Sequence, residues 1–110
     1  MPEFICRIQP TRMGMLTEGP TENESTVIDE HFEYLRKLVA QGVVFTAGRT
    51  QNAGERTFGI VIFAADSETK AAELMRADPA VSSGVMRAEL FPYRTALWSS
   101  SGPTGGENRD

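Results

Sequence analysis

Hydrophobic and polar positions alternate at the start of the chain. Phe4, Cys6 and Ile8 face one way and Ile5 and Arg7 the other, the two-residue period of a β-strand, and Pro10 ends it. Gln9 to Glu24 carries two glycines, two prolines and mostly polar residues, so it reads as a long loop, a length often tied to function or motion. From Val27 to Gln41 the period changes to that of a helix. Ile28, His31, Phe32, Leu35, Leu38 and Val39 recur at spacings of three and four, with Asp29, Glu33, Arg36 and Lys37 opposite them. Thr26 can cap this helix with Asp29 in a capping-box-like position, Glu33 and Lys37 form an i,i+4 pair, and Gly42 supplies the stop.

Val43 to Ala47 reads as a second strand, Arg49 to Thr57 as a polar connection with Gly48 and Gly54 at its turns, and Phe58 to Ala64 as a third strand that is apolar on both faces. Asp66 or Ser67 caps a second helix that runs through Ala77 and turns Ala71, Leu74 and Met75 inward. Asp78-Pro79 ends it, because the residue before proline is pushed out of the α region. After Gly84 the last strand, Val85 to Tyr93, sets Met86, Ala88 and Leu90 against Arg87, Glu89, Phe91 and Tyr93. Residues 1–98 thus form one domain, and Ser99 to Asp110, with three serines, three glycines and no apolar side chain, reads as a flexible tail.

The order β-α-β-β-α-β is that of a ferredoxin-like α+β fold, a four-stranded antiparallel sheet with two helices on one face. Two helices leave the other face of the sheet open. The first and third strands are nonetheless apolar on both sides, as strands buried on both faces are. A second copy laid over that face would cover it, so a homodimer is expected, with larger assemblies left open. Arg87 and Glu89 fall on this face.

Composition narrows the chemistry. The 110 residues include 15 acids and 11 bases, a formal net charge of −4, which disfavours nucleic acid as a partner. One cysteine, Cys6, excludes an internal disulfide, and with a single histidine, His31, a Cys/His metal site lacks ligands, so no metal and no cofactor are expected. The longest apolar run, Phe58 to Ala65, is far short of the ~20 residues a membrane span needs. The N-terminus lacks the apolar core of a signal peptide. A cytoplasmic protein with no membrane association is the expectation. Cys6, on the helix-facing side with Phe4 and Ile8, reads as a small buried hydrophobe.

The topology brings three connections, Gln9 to Glu24, Arg49 to Thr57 and Asp78 to Gly84, to one edge of the sheet. His31, one turn into the first helix, and Asp78, at the end of the second, can meet there, and Arg12, Arg49 and Arg56 can reach the same rim. Histidine is the side-chain type that titrates near neutrality. With a carboxylate to orient its ring it can serve as general base and acid. A lone histidine on an apolar helix face can equally be a core residue, Asp-Pro an ordinary helix stop, the arginines solvated loop charges, and the Tyr34 hydroxyl a group reaching solvent.

The segment His31-Phe32-Glu33-Tyr34-Leu35-Arg36-Lys37-Leu38 with Gly42 and Thr46-Ala47-Gly48, followed by Ala77-Asp78-Pro79-Ala80-Val81 with Gly84-Val85, resembles the two signatures of the YCII-related (YciI-like) family. Pro92 with its flanking aromatics resembles that family's strand ending, and the likeness runs from Phe4 to Leu97. The resemblance implies a ferredoxin-like fold that dimerises into an α+β barrel, and a His–Asp pair as the candidate active centre, here His31 and Asp78. It also implies chemistry of the kind some relatives perform on small aromatic or chlorinated rings, while the wider barrel architecture hosts cofactor-free monooxygenases and lactone isomerases. Two features depart from the pattern: Arg49 stands where many members have proline, and the first loop is long. The reading that follows is a cofactor-free enzyme in which His31 moves a proton and Asp78 holds its ring. Arg49, Arg12, Arg56 and Tyr34 would then contact a small organic substrate. The alternatives are a non-catalytic module that binds a small ligand, and a plain dimerisation unit.

Overall fold

The N-terminal alternation becomes a strand, β1 (Glu3–Pro10), that buries Phe4, Cys6 and Ile8 and exposes Arg7 on the opposite face. The computed structural model describes residues 1–103. Its other strands are β2 (Val44–Arg49), β3 (Gly59–Ala64) and β4 (Met86–Tyr93), in the order β2-β3-β1-β4 with every pair antiparallel. This is the ferredoxin-like arrangement. The two strands that are apolar on both faces, β1 and β3, are the two central ones, each with a strand on either side.

On the helix-facing side, Phe4, Cys6, Val44, Val61 and Phe63 form the sheet's half of the core, with the Phe4 and Phe63 rings 6.0 Å apart. On the open side the register sets Ile5 between Ile62 and Phe91, and Arg7 between Ile60 and Glu89. Arg7 also lays its guanidinium 5.0 Å from the centre of the Phe58 ring, and Arg87 donates to Gln9 Oε1 at 3.2 Å. A bulge between Val44 and Thr46 turns Phe45 outward, where its ring meets the edge of Trp98 at 6.4 Å. The chain after β4 is tied back to β1, because the Thr95 N–H donates to Glu3 Oε1 at 2.8 Å. Of the expected tail, residues 99–103 hold a turn closed by Gly102 N–H to Ser99 O at 3.1 Å, and 104–110 lie outside the described residues.

The helices correct the sequence-based boundaries. A short helix, α1 (Gly14–Thr17), occupies the expected long loop, and the first major helix, α2 (Glu22–Ala40), begins five residues early. Its cap is Thr21, not Thr26. The Thr21 hydroxyl accepts from the Glu24 N–H and Glu24 Oε1 accepts from the Thr21 N–H, a reciprocal capping box. Thr26 instead donates to the Glu22 carbonyl one turn back. Thr21-x-x-Glu24 fits the box better than Thr26-x-x-Asp29, since a glutamate reaches back to the cap N–H more readily than the shorter aspartate. Phe32 is also outward, 39% exposed, with the Arg36 guanidinium 4.7 Å from its ring centre. The buried stripe is centred on Val27, Leu35 and Leu38, and Phe32 lies one helical step of about 100° beyond His31. Glu33 pairs with Arg36 at 3.1 Å. At the helix end, Gly42 adopts φ 77° and lets the Val43 N–H reach the Leu38 carbonyl, a Schellman stop that needs a left-handed residue.

The second major helix, α3 (Glu68–Arg76), is capped by Ser67 and buries Ala71 and Met75. It is followed by one further turn, α4 (Pro79–Ser82), capped by Asp78. No helix among the described residues is long and apolar enough to cross a membrane.

Candidate functional site

His31 sits more than two turns into α2, on the face turned toward α4 and the end of α3. Asp78 occupies the break between α3 and α4. Its backbone is extended there, φ −62° and ψ 127°, because Pro79 bars the α conformation. The Asp78 side chain is wholly buried and each carboxylate oxygen has a partner. Oδ1 accepts from the Ala80 N–H at 2.9 Å, and Oδ2 lies 2.6 Å from His31 Nδ1. A carboxylate can only accept, so the proton of this contact belongs to Nδ1. Nε2 has no hydrogen-bond partner among the described residues, and the ring keeps 15% of its side-chain surface exposed. The arrangement therefore offers one imidazole, held in one orientation from behind, with its other nitrogen available as a proton acceptor or, once protonated, as a donor.

Two more groups feel the Asp78 charge. The Tyr34 hydroxyl donates to the Leu74 carbonyl at 2.6 Å and is pushed above the ordinary tyrosine value, first by burial and then by Asp78. Cys6, fully buried beneath the helices, is pushed up to about 12, by burial first and by Asp78 second, so it is a neutral thiol and no nucleophile. Among the described residues no group of three or more His, Cys, Asp or Glu side chains is placed to hold a metal ion.

The arginines expected at the rim have different surroundings. Arg12 donates to both oxygens of Glu24, at 2.8 and 2.7 Å, and to the Gly19 carbonyl at 3.1 Å, which straps the segment before α2 to its first turn. Arg12 is the main cause that holds the Glu24 carboxyl down to about 2. Arg49, exposed at the end of β2, borders a hollow of about 390 Å³ with Thr46, Thr50, Phe58 and Ile60. Arg56 is exposed in the connection between β2 and β3. A second hollow, of about 340 Å³, lies beside Met1, Pro92 and Tyr93. Neither hollow is lined by His31 or Asp78, and among the described residues no hydrogen bond or ion pair joins Arg12, Arg49 or Arg56 to either of them.

A family model for the YCII-related domain matches residues 4–94. The chain belongs to the YCII-related domain family. No curated protein matches it in sequence. Among solved structures it is similar to the 5-chloro-2-hydroxyhydroquinone dehydrochlorinase of Burkholderia phenoliruptrix AC1100, determined with 2,5-dihydroxybenzoquinone. That likeness has a TM-score of 0.61 and 19% identity, over 83% of this chain and 93% of the dehydrochlorinase. At this identity the likeness establishes a shared fold. A formyltetrahydrofolate deformylase of Pseudomonas putida KT2440 matches more distantly, with a TM-score of 0.41 and 15% identity, over 84% of this chain and 29% of that one.

Three features of this YCII-related site escaped the sequence. The turn α4, which supplies the Ala80 N–H to Asp78, was signalled by aspartate directly before proline, a cap followed by the preferred first helical residue. The Arg12–Glu24 strap was signalled only at its Glu24 end, through the capping box. The Tyr34 bond to the Leu74 carbonyl had no linear signal, because which carbonyl lacks a partner depends on how α3 ends.

Proposed function

We propose that this YCII-related chain is a cofactor-free enzyme whose His31 acts as general base and acid on a small organic substrate, aromatic or lactone-like. Asp78 orients the imidazole and balances the charge that develops on it. The observation that carries this reading is the completeness of the pair: a fully buried carboxylate with both oxygens bonded, one of them to the only histidine, whose outer nitrogen is left open. Burying a carboxylate this deeply costs free energy unless it is fully paired, and a site that moves protons uses that kind of fixed partner. The aromatic class is taken from the dehydrochlorinase with a similar fold, named for a chlorinated hydroxyhydroquinone, and the lactone-like class from analogy with the wider barrel architecture. The working unit is a homodimer through the open sheet face, in the cytoplasm, where Cys6 stays reduced.

The test is turnover by purified protein on a panel of hydroxylated, chlorinated and lactone ring compounds. His31→Ala is expected to lose about 100-fold or more of any activity found, and Asp78→Asn to lose a similar share through a misplaced ring. Unchanged turnover in His31→Ala eliminates the role. One observation favours a second reading, a ligand-binding or dimerisation module without chemistry: neither hollow described includes His31. A ring compound that binds and is recovered unaltered after long incubation decides for that module.

A further inference from the structure

We infer that Tyr34 is a positioning residue for the His31–Asp78 pair, holding Asp78 at the end of α3 through the Leu74 carbonyl rather than touching a ligand itself. The inference deepens the acid–base reading and depends on it only for its consequence in turnover. It begins with the hydrogen bonds at the end of α3. In a continuing helix the Leu74 carbonyl would accept from the Asp78 N–H, and the Met75 carbonyl from residue 79. Residue 79 is proline and has no N–H. The Asp78 N–H turns to the Met75 carbonyl instead, at 3.2 Å. That leaves the Leu74 carbonyl an orphan in a partly buried place, and the Tyr34 hydroxyl fills it at 2.6 Å.

Tyr34 and His31 stand three residues apart on α2, so they are neighbours on one face of that helix. Two short bonds from that face therefore meet the same junction four residues apart, one at Leu74 and one at Asp78. A single bond would leave α3 free to pivot about the His31 contact; two fix the distance and the angle of approach. Burial keeps the tyrosine protonated, hence a donor, through the neutral range. With its hydroxyl committed to a backbone carbonyl, Tyr34 is not free to bind substrate, the role its sequence position had indicated.

The test exploits the single histidine, which gives one imidazole signal in a nitrogen-15 NMR spectrum. In the unaltered protein the ring is expected as one tautomer, protonated at Nδ1, with that proton protected from exchange with water. Tyr34→Phe keeps the ring and deletes the donor; roughly tenfold faster exchange of the Nδ1 proton is expected. Val44→Ala, a core truncation in β2, is the control for a general loss of stability. Equal acceleration in both variants, or no change in Tyr34→Phe, overturns the inference.

If Tyr34→Phe does not fold, 3-fluorotyrosine is incorporated in a Tyr93→Phe background, which leaves Tyr34 as the sole tyrosine and keeps its hydroxyl. A shifted His31 Nδ1 proton resonance relative to Tyr93→Phe alone then supports the inference, and an unmoved one overturns it. Where a substrate is in hand, kcat of Tyr34→Phe falls while KM holds. Turnover that survives in His31→Ala would defeat the acid–base reading and leave the NMR result standing.

Discussion

A buried carboxylate is tolerated when each oxygen finds a donor, and Asp78 finds one in a backbone amide and one in a side chain. The two are not equivalent. Ala80 N–H comes with the fold, as part of the α4 cap, whereas His31 arrives from another helix and can be removed without breaking a turn. Asp78 also adds to the effect of burial on its neighbours, and Cys6 gives a test. Burial and the Asp78 charge keep that thiol neutral, so in the native protein at pH 8 it should resist an alkylating reagent and react fully once denaturant is added. Native reaction at the rate of a free thiol, followed by mass spectrometry, would contradict the burial described.

The pair was legible in part: topology brought the single histidine and the aspartate before proline to one edge of the sheet, and the family resemblance singled them out as partners. The role of Tyr34 was not, since a hydroxyl's partner is decided by which carbonyl the next helix abandons.

At the scale of elements, six elements of the repeating order follow from period alone; the largest difference is the start of α2, while α1 and α4 were unforeseen and β2 runs on through Gly48 and Arg49. Two threonines compete to cap α2, and apolar spacing does not discriminate between them, because the residues from Glu22 to Thr26 are polar and solvent-facing except Glu24. The deciding fact is the glutamate three residues after Thr21. Thr21→Ala should therefore lower stability by about 1 kcal/mol in a denaturant melt, while Thr26→Ala, which loses only a bond to the preceding turn, stays within about 0.5 kcal/mol. The reverse order would restore the later helix start.

The same first turn carries a pH dependence. Glu24 titrates lower in the folded chain, near 2, than its ordinary 4.5, chiefly because Arg12 bonds its charged form. Folding is thus favoured fully above about 4.5, and this contribution is lost as pH falls toward 2. Arg12→Ala should flatten the fall in thermal midpoint across that window and leave it nearly parallel to the unaltered protein above pH 5. High salt should narrow the difference, since the pair is open to water on its Arg12 side.

At the scale of the whole molecule, the open face of the sheet is the unresolved asymmetry. Its central rows run Phe91, Ile5, Ile62, Thr46 and Glu89, Arg7, Ile60, Gly48 across the four strands. Phe91 is 45% and Tyr93 39% exposed there, more than a sheet face meant for water usually shows. The isoleucines stand in the middle and the aromatics at the β4 edge. The Gly48 position, where an added Cβ would meet nothing within 4 Å, leaves the β2 edge low.

A twofold partner would then set the raised edge of one sheet against the low edge of the other, which is how a self-complementary surface works. A stable pairing of this kind should bury at least about 1,000 Å² in total. Light scattering behind a sizing column should give a mass of twice 12.1 kDa at micromolar concentration, and the thermal midpoint should rise with concentration. Ile62→Lys puts a charge at the centre of the apolar row without touching the helix-facing core, so it should yield a folded species of 12.1 kDa. An unaltered protein that already runs at 12.1 kDa, with a midpoint independent of concentration, would leave the isoleucines of this face without a partner and remove the homodimer from the reading.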